Sequence, residues 1–183
     1  MARLPYLTTD DIAEEHHKLL ARDINLNRLL VHNPGGARAF SRLGGWIRFD
    51  QSLDPRLREL AILQVGWCAR SAYEWSHHVK LGLEFGVTDE DIDAIAALDR
   101  GESTHLAELD LAVLAAAREM ADDIGVADAT WAKLNEHMDT EQVMDLVMAI
   151  GFYCMVVRVL QTLQIDVEPD YEVYLERHPL PER

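Results

Sequence analysis

The chain has 183 residues, 49% hydrophobic and 7% aromatic: enough to bury the core of one domain, and too apolar for a disordered segment. Its formal net charge of −15 argues against a nucleic-acid surface or a basic membrane patch. Two cysteines, Cys68 and Cys154, exclude a disulfide framework, and the opening MARLPYLTTDD lacks the apolar run of a signal peptide, so the cytoplasm is the expected setting.

Only 10 Gly and 6 Pro, against abundant Ala, Leu and Glu, favour helix throughout. Thr8 or Thr9 is placed to cap a first helix running to about Ala21, and Ile24 to Val31 is a short ambiguous apolar piece. Asn33-Pro34 restarts the chain and a second helix is expected over 35–49. Asp54-Pro55 starts a third, apolar over most of its circumference from Leu57 to Cys68, which marks a central helix. Glu59 lies inside that run, where an unpaired carboxylate is expensive.

Ser71-Ala-Tyr-Glu74 has the form of a capping box and opens a fourth helix ending at Gly86. A short fifth helix is expected to about Leu98, an amphipathic sixth from His105 to Asp122, and another short one opening at Asp128. Asp139-Thr-Glu-Gln142 opens the longest apolar helix, to about Leu163. Asp145, Arg158, Gln161 and Gln164 interrupt its apolar run, so burial in a core or subunit interface is expected in place of a membrane span. The tail from Asp166, with Pro169, Pro179 and Pro181, reads as irregular. These elements describe an all-α bundle of seven or eight helices in a single domain over 1–183, with its core at about 33–165 and the two ends as extensions.

The chemistry concentrates between Leu57 and Val87. Glu74 and His78 are four apart and share a helix face, whereas His77 is turned by about 100° and reads, with Lys80, as solvated. A carboxylate beside an imidazole fixes its tautomer and moves its pKa, as a general acid or base requires. Glu59 joins this pair if the third and fourth helices pack antiparallel. Plainer roles stand beside this one: Glu74 as the second half of a cap, His78 as a satisfied core histidine, Glu59 in an ion pair with Arg70 or with the neighbours of Arg58. Glu14-x-x-His17 and Glu74-x-x-His77 match a spacing used in helical di-iron sites, but 15 glutamates and eight histidines, with two His-His doublets, produce such matches by chance.

With Glu59, Ser71, Tyr73, Glu74 and His78 in hand, the stretch LDPRLRELAILQVGWCARSAYEWSHHVKLGLEFGVTDEDIDAI at 53–95 resembles the carboxymuconolactone decarboxylase family, which includes the alkylhydroperoxidase D (AhpD) enzymes. The resemblance implies the AhpD-like helical bundle and assembly into homotrimers or hexamers. The hydroperoxidase branch carries Glu, then Cys-x-x-Cys, then His. Laid on this chain, Glu falls on Glu59, the cysteines on Ser71 and Glu74, the His on His78, and Tyr73 takes the site of a proton-relay residue. Both redox sulfurs are therefore replaced.

The decarboxylase branch needs no thiol, and what it implies is a lyase without cofactor or metal, acting on a small unsaturated acid or lactone. In that reading His78 is the proton donor, Glu59 orients it, and Glu74 and Tyr73 complete the catalytic set. Ser71, Arg70 and Trp75 contact substrate, with Arg70 the favoured source of positive charge over Arg58 and Lys80. Peroxiredoxin-like activity and a non-catalytic oligomeric binding protein are the alternatives.

Overall fold

The structure, a computed structural model, describes residues 1–181. After two 3-10 segments, Thr9–Asp11 and Glu14–Leu20, come nine α-helices among the described residues: α1 Asn25–Leu30, α2 Pro34–Phe49, α3 Pro55–Ala69, α4 Ala72–Glu84, α5 Asp89–Asp99, α6 Glu108–Asp122, α7 Asp128–His137, α8 Thr140–Leu163 and α9 Pro169–Arg177. The fold is all-α, as its composition indicates. The count exceeds seven or eight because the ambiguous piece at 24–31 holds α1 and the tail is helical.

α3 is the axis of the molecule. Ten consecutive residues, Arg58 to Trp67, are buried. One side of the helix presents Ala61, Ile62 and Val65 to a core shared with Val113, Ala117, Leu146 and Ile150. The other presents Leu60, Leu63 and Trp67 to a second core with Trp75, Val79, Ile92 and Ile95. A helix lined with apolar groups all round is stable only when neighbours cover every side. Asp54 caps it, accepting from the N–H groups of Arg56 and Leu57, with Pro55 in the first turn where no N–H is missed. α8 is long and apolar enough to cross a membrane by length and composition, yet it buries one face along its whole length, with Leu146, Ile150 and Leu160 in the core. Its buried Asp145 accepts from the N–H groups of Ser52 and Leu53 at 2.7 and 3.2 Å, pinning the loop before α3.

Three local expectations are corrected. No α-helix forms from Thr8 to Ala21: Asp11 closes back on the Thr8 N–H and hydroxyl at 2.9 and 2.8 Å, Ile12 and Ala13 are extended, and tighter 3-10 turns result. α6 begins at Glu108 and not at His105. The tail is ordered as α9, because Pro169 stands at the start of a helix, where proline is tolerated, and Pro179 lies beyond its end. The Trp75 indole donates to the His178 carbonyl at 2.7 Å, and the His178 ring lies 2.9 Å from Asp93 and 2.8 Å from Asp89 of α5. At the other terminus the Arg3 N–H donates to the Leu163 carbonyl at 2.8 Å, and the Tyr6 hydroxyl donates to Asp166 at 3.0 Å.

Candidate functional site

A single tight turn folds α4 back along α3. Arg70 takes a left-handed conformation (φ 47°), and the Ser71 N–H returns to the Gly66 carbonyl at 3.0 Å. At Gly66 the helices approach closely: a Cβ there would lie 3.4 Å from the Trp75 backbone nitrogen and 3.6 Å from Glu74 Cγ. The cap that opens α4 is half a capping box. Ser71 Oγ accepts from the Glu74 N–H at 3.4 Å, but because Gly66 already takes the Ser71 N–H, the Glu74 carboxylate is left for other work.

That work is done beside His78. Glu59, 0% exposed, accepts from Arg58 Nε and Nη2 at 3.1 and 3.0 Å through Oε1 and pairs with His78 Nδ1 at 2.7 Å through Oε2. On the other side of the ring His78 Nε2 lies 3.0 Å from Glu74 Oε1. The contact is close but off the N–H axis, so Glu74 Oε1 has no aligned hydrogen-bond partner among the described residues although Glu74 is 3% exposed. Burial opposes an imidazolium at His78, yet the flanking Glu59 and Glu74 carboxylates outweigh it and raise the pKa to about 9. Burial likewise opposes a charged Glu59, and the His78 and Arg58 cations overcome it and hold its pKa below the ordinary value. The result is a buried line of alternating charge: Arg58, Glu59, His78, Glu74.

A second cluster stands one residue away. His77 is buried, not solvated: its ring is stacked between Tyr73 (centroids 4.2 Å apart) and Tyr171 of α9 (3.6 Å). Its Nε2 lies 2.8 Å from Glu168 Oε2, and a carboxylate partner makes this nitrogen the donor. The other oxygen of Glu168 accepts from the Tyr73 hydroxyl at 3.0 Å and from the Asn25 N–H at 2.6 Å, and the Tyr73 oxygen accepts from the Leu26 N–H at 3.2 Å. Here burial prevails and lowers the His77 pKa, with Glu168 working against it. Burial and the neighbouring Glu168 charge raise that of Tyr73. Glu168, Tyr171 and Asn25 carry no signal in sequence, since nothing in the spacing ties residues so far apart to α4.

Both clusters border one cavity of about 360 Å³, walled by the second 3-10 segment, α1, α2, α4 and α8. Phe40, Phe152, Tyr153 and Val156 make its apolar side, and a Gly44 Cβ would press on the Phe152 ring at 3.3 Å. Of the catalytic set read from sequence, His78, Glu74 and Tyr73 line the cavity, whereas Glu59 stands behind His78. Ser71, Arg70 and Trp75 do not line it. Ser71 is held in the α3–α4 turn, Trp75 lies under the C-terminal segment, and Arg70 borders a shallow depression with Trp67, Asp99 and Arg118. Arg58 is committed to Glu59 and Lys80 sits over the Tyr171 ring at 5.3 Å. The positive charge at the cavity comes instead from Lys18, Arg22 and Arg48. Cys68 and Cys154 border a different cavity, of about 350 Å³, between α3, α6 and α8, and burial raises both thiol pKa values.

The sequence profile of the carboxymuconolactone decarboxylase (CMD) family matches residues 34–119, a span that runs from the first residue of α2 into α6 and contains the whole Arg58–Glu59–His78–Glu74 line. Over these residues the chain matches the carboxymuconolactone decarboxylase family. Ser71 and Glu74 stand where the resemblance lays the two cysteines of the hydroperoxidase branch. The chain's backbone is similar to that of an uncharacterised peroxidase-related protein with an AhpD core from Ralstonia eutropha (TM-score 0.80, 16% identity, 98% of each chain). It is also similar to the debrominase Bmp8, solved as a Cys-to-Ala variant with 2,3,4-tribromopyrrole (TM-score 0.78, 16% identity, 96% of this chain and 98% of that one). A third is a protein of unknown function from Agrobacterium tumefaciens described as a putative antioxidant defence protein AhpD (TM-score 0.66, 19% identity, 76% of this chain and 95% of that one). At such identities the likeness shows the shared fold. No curated protein matches the chain.

Proposed function

We propose that the cavity is the active site of a cofactor-free acid–base enzyme, a lyase acting on a small unsaturated acid or lactone. The observation that supports it most is the buried charge line, which starts at Arg58, raises the His78 pKa to about 9 and ends on Glu74 at the cavity wall. An imidazolium kept charged at neutral pH is a ready proton donor. In a decarboxylation the C–C bond to the carboxylate breaks, CO2 leaves, and its electron pair passes into the conjugated carbonyl of the substrate. His78 then protonates the resulting enolate at carbon, Glu59 holds the ring through Nδ1, and the neutral His78 left behind is reprotonated from solvent. Tyr73 and His77 line the same cavity, and Lys18, Arg22 and Arg48 draw an anion to an otherwise acidic molecule.

The test is turnover of carboxymuconolactone, followed as CO2 release, with the purified chain. His78→Gln is expected to lower kcat by at least about 100-fold, the usual worth of a positioned acid; unchanged turnover in that variant overturns the assignment. Peroxide turnover that disappears in a Cys68→Ser, Cys154→Ser double variant would replace this reading with a thiol peroxidase, and ligand binding without any turnover would replace it with a binding protein.

The same reading includes self-association as a trimer or hexamer. Met144, Met148 and Met155 are exposed along one stripe of α8, and Phe49 is 72% exposed at the cavity edge. Light scattering on Met148→Glu should report a smaller species than the parent chain.

A further inference from the structure

Two buried polar atoms at the cavity have no aligned hydrogen-bond partner among the described residues, and they are of opposite sign: Arg48 Nε, and Glu74 Oε1, whose one charged neighbour is His78 Nε2 at 3.0 Å. Both residues line the cavity, and Glu74 is 3% exposed. A buried donor or acceptor without an aligned hydrogen bond is costly, so a ligand that meets both atoms recovers what the fold gives up. The chain has 32 acidic residues, yet Glu74 is the one carboxylate among the described residues of this cavity, against Lys18, Arg22 and Arg48. The same cavity has an aromatic wall. Tyr153 is set edge-on to His78, with ring centroids 4.9 Å apart, and Phe152 packs on Phe40 at 4.9 Å. A volume of about 360 Å³ is at the small end for ligand sites and suits a single ring.

We infer that the cavity takes a planar, one-ring carboxylic acid bearing a hydroxyl group, its carboxylate held by Arg48 and its hydroxyl donating to Glu74. The guanidinium offers a fork of donors that matches a carboxylate, and Glu74 offers only acceptors, so the two ends of the ligand are not interchangeable. The inference rests on the proposed function only in taking this cavity as the substrate site, and it concerns binding, not turnover.

Calorimetric titration of the full chain with 4-hydroxybenzoate, benzoate and phenol tests it. The expected order of affinity is 4-hydroxybenzoate, then benzoate, then phenol. Arg48→Met should weaken both carboxylates at least 10-fold and leave phenol unchanged. Because Arg48 is partly exposed, this variant is expected to fold, which circular dichroism checks. Glu74→Gln should remove the preference for 4-hydroxybenzoate over benzoate. Equal affinity for phenol and 4-hydroxybenzoate, carboxylate affinity unaffected by Arg48→Met, or no binding of any probe to the folded chain overturns the inference. If the probes bind as described and no turnover is found, the ligand class stands and the acid–base reading falls.

Discussion

His77 and His78 are consecutive, both buried, and both bonded to glutamate, yet their protons are held in opposite ways. His78 lies between two carboxylates, one of them backed by Arg58, and its charged form is favoured. His77 has one carboxylate and two aromatic faces, and its neutral form is favoured. Burial pushes both pKa values down; the number of nearby anions decides the outcome. One helix thus carries a proton donor and, one residue earlier, a neutral hydrogen-bonding wall.

The largest expected effect separates the two clusters by stability. Glu59→Ala strands the buried Arg58 and His78 cations and should cost about 3–5 kcal/mol in urea denaturation. Glu168→Ala should cost less, about 1–3 kcal/mol, because its side chain is 17% exposed and water reaches what it leaves behind. Equal costs for the two would break the distinction between a buried ion line and a hydrogen-bonded wall.

The pH dependence sharpens it. The folded-state pKa of His78, about 9, lies above the ordinary 6.5, so its contribution is complete below pH 6.5 and is lost as pH rises through 9. The drop is on the order of 3 kcal/mol, and it should be much reduced in His78→Gln. The groups that face His78 are Glu59 from α3, Glu74 and His77 from its own helix and Tyr153 from α8, with Arg58 behind Glu59. His77 has the opposite sign: its pKa is depressed, so stability falls as pH drops below 6.5 through the folded value, and Glu168→Gln should shift that acid limb and leave the alkaline one alone.

The smallest effect is a control on the cavity wall. Gly45 lines the cavity in the interior of α2, and a Cβ there meets no atom within 4 Å. Gly45→Ala should raise stability by up to about 1 kcal/mol and leave both pH limbs in place. A destabilised variant would mean that the wall is closed at that point.

The sequence makes the His78 cluster legible and hides the His77 cluster, for a physical reason. Glu59 inside an apolar helix, the Glu74 to His78 spacing and a short turn between the helices are local signals. Together they require the two carboxylates to meet the ring once α3 and α4 pack. Glu168, Tyr171 and Asn25 reach His77 and Tyr73 through tertiary packing of the chain ends, which no periodicity encodes. The same limit explains Arg70 and Trp75: chain proximity to the α4 N-terminus suggested a substrate contact, but the left-handed Arg70 turns its side chain outward and Trp75 faces the C-terminal segment. Nothing local marks Arg48, because its relation to α4 and α8 depends on how α2 packs. The prolines of the tail suggest an irregular segment, although Pro169 occupies a position where proline favours a helix.

Glu168 also has a kinetic meaning. The His78–Glu59 bond spans 19 residues, and the Asn25–Glu168 bond spans 143. Closing the longer loop carries a larger entropy cost and belongs late in folding, after the α3–α4 pair is in place. The charge line can therefore form in a molecule whose second wall is still open, and local unfolding of the two chain ends would expose the cavity without disturbing the proton donor. Hydrogen exchange should find the Asn25 and Leu26 amides opening well before those of Glu59 to Val65.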